Sequence, residues 1–395
     1  MAINLQTTLK GYSITITIDV EDYATYPIYL IDPPEVSYNA DNYDNENLFF
    51  PSNLKISFYC PNDIFYFLSE YTIIQIQSGN ETIFFGKLDY ESIQYEPENK
   101  NYTLTFVDRS TEWIEKSYQD FPQYIGNNNV TSIISLLTNI TGLSIIHNYP
   151  SNFVTLRTAQ TFPLNNNQPY VAGIGRWGTY PSYFFDGNYQ TAGDIIKAIL
   201  NSVGLLGYVQ GNNLILCNKF TFANQINLNP YNIIDLEYSK TLAYDYVISS
   251  IRIGPTARYD YIYDQRINQL LNPKKQITLK FELLVGTRPD NPDLSFSNVW
   301  IDVPGYIYPP SGGWFIADFN SATFGSGYKS LWRLLSDALV ERLIINRDEI
   351  KLRYKGDVKL FDKISLNGDK YLVNYILKKL GEDIVECKGL KIVSE

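Results

Sequence analysis

Apolar and polar residues alternate repeatedly through the first 110 positions. Ile14, Ile16, Ile18 and Val20 recur at every second place, as do Leu54, Ile56, Phe58 and Cys60, and then Tyr102, Leu104 and Phe106. A period of two belongs to strands with one buried face. Between these sets lies YTIIQIQSGNETIFFGKLDYESIQY, residues 71–95. There Ser78-Gly79-Asn80 supplies turn chemistry between two apolar arms, and a third arm follows. The spacing predicts an antiparallel meander, curled because open strands expose edges that invite wrong pairing. A short helix is expected at STEWIEK, with the sheet region ending near Gln119.

The period then changes. Val130, Ile133, Ile134 and Leu137 follow helical spacing behind Asn129 as the cap. In YQTAGDIIKAILNSVGLLGY, Thr191 caps, Asp194 follows three residues on, and Ile195, Ile196, Ile199 and Val203 form the buried stripe. Both helices end in Gly-Leu, at Gly142-Leu143 and Gly204-Leu205, where a left-handed cap residue belongs. Asn139, Gly142 and Leu143 recur as Asn201, Gly204 and Leu205, a faint echo that similar helix endings produce without duplication. The second helix leads into LLGYVQGNNLILCN, read as strand, turn and strand.

Two segments break the periodicity. Residues 149–188 and 289–327 are rich in Pro, Gly, Asn and aromatics, and loops of that length are functional, exchanged with a partner or ordered by one. PGYIYPPSGGWF in the second is either an interaction surface or a loop packed on its own rings. Beyond it, Leu331, Leu334, Leu335, Ala338 and Leu339 share a helical face. Alternation then resumes through DEIKLRYKGDVKLFDKISLNGDKYLVNYILKKLGEDIVECKGLKIV, where Asn367-Gly368 is a strong hairpin signal. Closely spaced short strands of this kind suggest a small barrel.

Composition narrows the functions. Of 395 residues 45% are hydrophobic and 15% aromatic, including 33 Tyr, which suits a folded, β-rich chain with room for two or three cores. A net charge of -10 without a basic run argues against tight nucleic-acid binding, while leaving room for DNA that passes without sticking. No signal peptide and no membrane span are expected, since no apolar run approaches 18 residues. Cys60, Cys217 and Cys387 are scattered through strand-like stretches and read as buried thiols of a reducing compartment. The sequons at Asn80, Asn101, Asn129 and Asn139 are expected by chance in a chain this rich in Asn.

Catalytic chemistry finds little to use. His147 is the single histidine, no cysteine neighbours another, and no GxSxG elbow or P-loop occurs. Gly173-Ile174-Gly175-Arg176-Trp177-Gly178 spells GxGxxG, but TYPSYFFDGN follows where a dinucleotide site needs a helix. Glu96 with Glu98, or Asp290 with Asp293, could serve as a glycosidase pair, yet nothing separates them from solvated loop acids. No catalytic, cofactor-binding or metal-binding residue is assigned, and no cofactor is expected.

The order of elements resembles the tail hub, or baseplate hub, proteins of tailed phages and related contractile injection systems. LKISFYCPND, IQIQSGNETIFFGKLDYESIQY and NYTLTFVDRSTEWIEK together look like a first hub barrel. TAGDIIKAILNSVGLLGYVQGNNLILCN is similar to the middle-domain helix leading through Gly-Leu to a hairpin. The stretch from Asp348 to Val393 looks like closing barrel strands, with a turn at Gly356-Asp357. The likeness implies a mainly β fold with an α/β insert. Residues 1–120 would be a first tube-like β-barrel domain, 121–235 an inserted α/β domain with the long aromatic loop, and 236–395 a second tube-like β-barrel domain with the insertion at about 289–327.

It further implies a non-enzymatic structural virion protein of the tail, assembled in the host cytoplasm. Three copies with two barrels each would ring a channel and adapt a sixfold tail tube to a threefold tail tip. Tail tube or distal tail proteins would sit above and tail-tip or fibre proteins below, with DNA in transit during ejection through an acidic lumen, bound without specificity. The rival reading is a tail-tip or surface adhesin that stacks its loop aromatics on glycans. An enzyme cutting glycans with two carboxylates is the third.

Overall fold

The computed structural model describes residues 2–21, 23–40, 49–110, 112, 142–148, 155–158, 205–218, 225–240, 246–253, 256–262, 276–283, 299–302, 328–330 and 348–392. Eleven strands lie in the first 110 residues: β1 (Ala2–Leu9), β2 (Tyr12–Asp19), β3 (Ala24–Pro27), β4 (Tyr29–Leu30), β5 (Glu35–Asn39), β6 (Phe49–Phe50), β7 (Ser52–Tyr59), β8 (Ile73–Ser78), β9 (Glu81–Leu88), β10 (Gln94–Glu96) and β11 (Asn101–Asp108). The middle of the chain adds β12 (Ser144–Asn148), β13 (Thr155–Thr158), β14 (Leu205–Gln210), β15 (Asn213–Asn218) and β16 (Gln225–Asn227). Then come β17 (Ile233–Lys240), β18 (Tyr246–Ile253), β19 (Thr256–Ile262), β20 (Gln276–Leu283), β21 (Val299–Asp302) and β22 (Tyr328–Ser330). The last four are β23 (Asp348–Lys355), β24 (Lys363–Leu366), β25 (Asp369–Lys379) and β26 (Ile384–Ile392). The protein is mainly β.

Alternation decides which face each N-terminal strand buries. Ile14, Ile16 and Ile18 of β2, Leu54, Ile56 and Phe58 of β7, and Tyr102, Leu104 and Phe106 of β11 are all buried in one core. Residues between them face outward. The order is β5-β7-β11-β9-β8-β2-β1-β3, antiparallel throughout except for the parallel pair β1–β3. The β8–β9 turn falls at Gly79, whose φ of +58 is open to glycine at little cost. Gly86 serves a different need: a Cβ there would lie 2.3 Å from the Val107 carbonyl, so only glycine lets β9 cross β11 this closely. The extended segment 24–31 touches both margins of this sheet. Its β3 half pairs with β1, its β4 half with β7, and Ile28 sits buried at the change-over.

The C-terminal strands form a second curled unit, in the order β17-β23-β26-β25-β24-β16. Asn367 and Gly368 adopt φ of +53 and +87, the pair of left-handed residues that joins β24 to β25. Ile350, Leu352, Val385, Cys387, Val373 and Ile376 form the buried inner face.

Two separate closed barrels were expected, and the strand ladder differs. Among the described residues it is one continuous sixteen-stranded sheet, because β5 pairs with β7 on one side and with β25 on the other. β25 pairs with β24 along its first residues and with β5 along Tyr375–Lys379, so one strand belongs to both units. No ladder among the described residues links β16 to β17. A four-stranded sheet, β12-β15-β14-β6, packs beside this junction, and β13-β21-β22 and β19-β18-β20 form two small further sheets.

Of the expected helices, only Ser110 and Glu112 of STEWIEK are described, and both are helical. The remaining helices lie outside the described residues. Of the two long loops, residues 155–158 and 299–302 are described, and in place of loop they form strands β13 and β21, paired with each other.

Candidate functional site: an assembly junction

Among the described residues, those first weighed for chemistry do not converge. His147 lies on β12, and Glu96 ends β10, where its carboxylate accepts from the amides of Asn99 (3.5 Å) and Asn101 (3.2 Å). Glu98 is an exposed turn residue beside it. Asp290, Asp293 and the GxGxxG stretch lie outside the described residues. Cys60, Cys217 and Cys387 are all buried. Burial pushes the Cys60 thiol up and that of Cys387 to about 12, so both stay protonated and unreactive. Among the described residues no group of His, Cys, Asp and Glu could hold a metal ion.

What the fold does bring together is the meeting of its three parts. From the N-terminal unit, β5 offers Tyr38 and Glu35; from the C-terminal unit, β25 and its turn offer Lys379, Leu380 and Gly381. The register sets Lys379 opposite Glu35, 3.1 Å apart. Leu380 enters the N-terminal core, its N–H donating to the Pro34 carbonyl at 2.9 Å. Lys10, in the β1–β2 turn, donates to the Gly381 carbonyl at 2.8 Å. The Ala40 N–H donates to the Asn374 carbonyl at 2.7 Å.

The β14–β15 hairpin wedges in from the middle of the chain. Tyr208 meets Tyr38 edge-on, with ring centres 5.7 Å apart, and lies 6.3 Å from the Phe361 ring, so one side chain touches both units. The tip of the hairpin rests on the β8–β9 turn. Gly211, with φ of +59, approaches so closely that a Cβ would lie 1.9 Å from the Thr82 carbonyl. Asn212 donates to the Thr82 hydroxyl at 3.1 Å.

Asp108 anchors the inner side. Its carboxylate accepts from the Ser52 N–H (2.5 Å), the Ser52 hydroxyl (2.7 Å) and the Ser110 N–H (2.8 Å). Burial raises its pKa above the ordinary carboxylate value, and the hydrogen bonds from Ser110 and Ser52 pull against that rise. The Tyr38 and Tyr208 hydroxyls are likewise raised by burial, with Asp108 adding to the shift at Tyr38. These groups therefore work in uncharged or fully bonded form, as a structural joint requires. Sequence reasoning missed the joint because its residues come from β5, β14 and β25, each legible alone as an ordinary strand.

A second surface leads outward from the N-terminal core. Phe58, Tyr102, Tyr95 and Phe65 stack in succession at ring-centre distances of 5.5, 4.5 and 5.0 Å. Tyr66, 85% exposed, meets Phe65 edge-on at the end of the column.

No protein-family model matches the chain, and no curated protein matches it. Solved structures that are similar to it include tail proteins. One is the 43 kDa tail protein of prophage MuSo2 from Shewanella oneidensis, with 9% identity, 92% of this chain and 94% of that one covered, and a TM-score of 0.44. Another is the tail protein from Neisseria meningitidis MC58, with 8% identity, 97% and 96% covered, and a TM-score of 0.48. A third is prophage tail protein gp18 from Listeria monocytogenes EGD-e, with 9% identity, 91% and 88% covered, and a TM-score of 0.42.

Proposed function

We propose that the chain is a structural tail protein, a hub of which three copies ring a conduit. The observation that carries this reading is the β5–β25 pairing. It joins two curled β units from opposite ends of one chain into a single ladder, across a joint filled by a third part. A chain built this way presents two β units in a fixed relation, so three copies present six. Six units meet a sixfold tube and three chains meet a threefold tip. The same proposal keeps the division at about residues 120 and 235, the passage of DNA without specific binding, and a place in the virion tail. It assigns no catalysis.

The test is light scattering of the purified chain over a range of concentrations. A species of three times the chain's 45.4 kDa is expected, with a central channel seen by electron microscopy. A monomer at every concentration would overturn the trimer. The stacked, outward-running rings from Phe58 to Tyr66 favour one other reading, an adhesin. In that case a Tyr66→Ala chain loses retention on a glycan array that the parent shows.

A further inference from the structure

The two units differ at their margins. In the N-terminal unit the segment 24–31 occupies the gap between β1 and β7. The Ile28 N–H donates to the Gln6 carbonyl, so Ile28, and by alternation Tyr26, turn their backbone groups toward β1. Thr25 and Pro27 turn theirs away, and Pro27 has no N–H to offer a further strand. This margin is both filled and blunted.

Among the described residues the C-terminal unit has the same gap without the filler. Among the described residues β23 is the strand that pairs with β17, and across the gap stands only the three-residue β16. The β24–β25 turn reaches over it, with the Asn367 amide donating to the Tyr238 hydroxyl at 3.4 Å. β17 spans eight residues without proline. Leu236 and Tyr238 lie in register with the buried Leu352 and Ile350, on the inner face, yet Tyr238 is 56% exposed and the neighbouring Ile234 49%. On this core-facing row Leu236 is half-buried and Tyr238 stands in water, whereas Ile28 of the filled margin is buried.

We propose that this gap receives an extended strand from a different polypeptide, one that alternates apolar residues with hydroxyl-bearing or basic ones. Apolar positions would cover Leu236 and Tyr238 as segment 24–31 covers the N-terminal core, and backbone pairing would supply register. Charge decides against β17 of a second copy. Two β17 strands paired across a twofold axis, same face to same face, set residues of equal parity opposite each other. The outer row of β17 is Asp235, Glu237 and Ser239, so central registers place carboxylate against carboxylate. Arg353, opposite Asp235 in register, is engaged with Glu386 at 3.3 Å. The far end of the ladder, β3, is closed to strand addition by Pro27. The inference goes beyond the hub reading, because it names an outside partner and does not depend on the number of copies.

The probe is a fluorescent nine-residue peptide alternating Val with Thr and Lys, titrated into the full chain and read by anisotropy. Two control peptides carry Glu in place of Lys or Pro in place of the central Val. The Lys peptide is expected to bind, the Glu peptide about tenfold more weakly, since two like-charge cross-strand contacts together approach that factor. The Pro peptide is expected not to bind. In D235K/E237K, whose altered side chains are exposed and whose fold is checked by circular dichroism, the preference between Lys and Glu peptides inverts. Failure of the Lys peptide, equal binding of the Pro peptide, or an unchanged preference in the double variant overturns the proposal. So does a disulfide-linked dimer formed by E237C, which would show β17 pairing with itself. Molar mass, measured in parallel, reports on the hub reading separately.

Discussion

The N-terminal and C-terminal units use the same strand grammar and treat their outer faces differently. On the N-terminal outer face Asn4 lies beside Thr17, Thr15 between Gln6 and Gln75, Ser13 between Thr8 and Gln77, and Ser57 beside Thr103. These rows bond to themselves: the Thr17 hydroxyl donates to the Asn4 side-chain Oδ1 at 3.0 Å, and the Ser57 and Thr103 hydroxyls share a bond of 2.9 Å. On the C-terminal outer face Lys351 stands between Glu237 and Lys388, and Arg353 between Asp235 and Glu386. The Lys388 ammonium finds relief over the Tyr375 ring, 4.9 Å away. A neutral face is indifferent to a passing polyanion and to salt; a charged one responds to both. The margins differ as well: the N-terminal unit is sealed by its own chain, and among the described residues the C-terminal unit carries an open gap.

Core deletions should separate the units most strongly. Phe106→Ala removes a fully buried ring from the sealed unit and is expected to cost about 3–5 kcal/mol in urea unfolding. Tyr238→Ala, at the open gap, removes a ring already 56% exposed and should fall within about 1 kcal/mol. Equal losses would mean that the gap is part of the core. Ile28→Ala tests the seal itself, with about 2–5 kcal/mol lost and faster amide exchange along β3 and β1.

The wedge is the next target. Gly211→Ala adds a Cβ where the Thr82 backbone already stands and where φ is +59, so the hairpin must lift off. About 1–3 kcal/mol is expected from such crowding, seen as loss of protection in β14 and β15 ahead of β7 and β11.

Asp108 adds a pH signature to the same joint. Asp108→Ala leaves the Ser52 and Ser110 N–H groups without their carboxylate and should cost about 1–3 kcal/mol, whereas Asp108→Asn keeps an acceptor and costs less. Burial raises the folded pKa above the unfolded one, so the folded state holds the proton to higher pH. The stability this supplies is complete below the unfolded pKa and is lost as pH rises through the folded one. Relative to Asp108→Asn, the parent should therefore gain stability as pH falls from neutral toward 4. A gain on raising the pH instead would mean that the hydrogen bonds outweigh burial.

Strands with clean alternation were legible in the sequence, and so were their turns. β2, β7, β8, β9 and β11 follow from single runs of apolar residues, and Gly79, Gly211 and the Asn367-Gly368 pair take the left-handed backbone that turn chemistry demands. β5 was not legible. It is five residues in PPEVSYN, with one buried side chain, Val36, as its signal. β3 and β4 are shorter still, and their pairing with β1 and β7 is a long-range choice that local propensity does not encode. The joint was hidden for the same reason. Asp108, Tyr208 and Lys379 each obey ordinary strand rules, and only the ladder places them side by side.

The smallest expected effect bears on the join between the units. Lys379 and Glu35 face each other across β25 and β5, about a third exposed or more on each side, and Glu35 raises the lysine's pKa. Exposed ion pairs of this kind contribute about 0.2–1 kcal/mol. Glu35→Gln should therefore lower stability by no more than that, and less at high salt, because the pairing itself rests on the β5–β25 backbone ladder and on Leu380 in the N-terminal core. Leu380→Ala, by contrast, should cost about 2–5 kcal/mol. If Glu35→Gln alone uncoupled the two units, seen as two unfolding transitions in place of one, the join would be electrostatic rather than a shared sheet. A ladder that depends on one exposed ion pair could not hold two β units in register at high salt, where such pairs are screened.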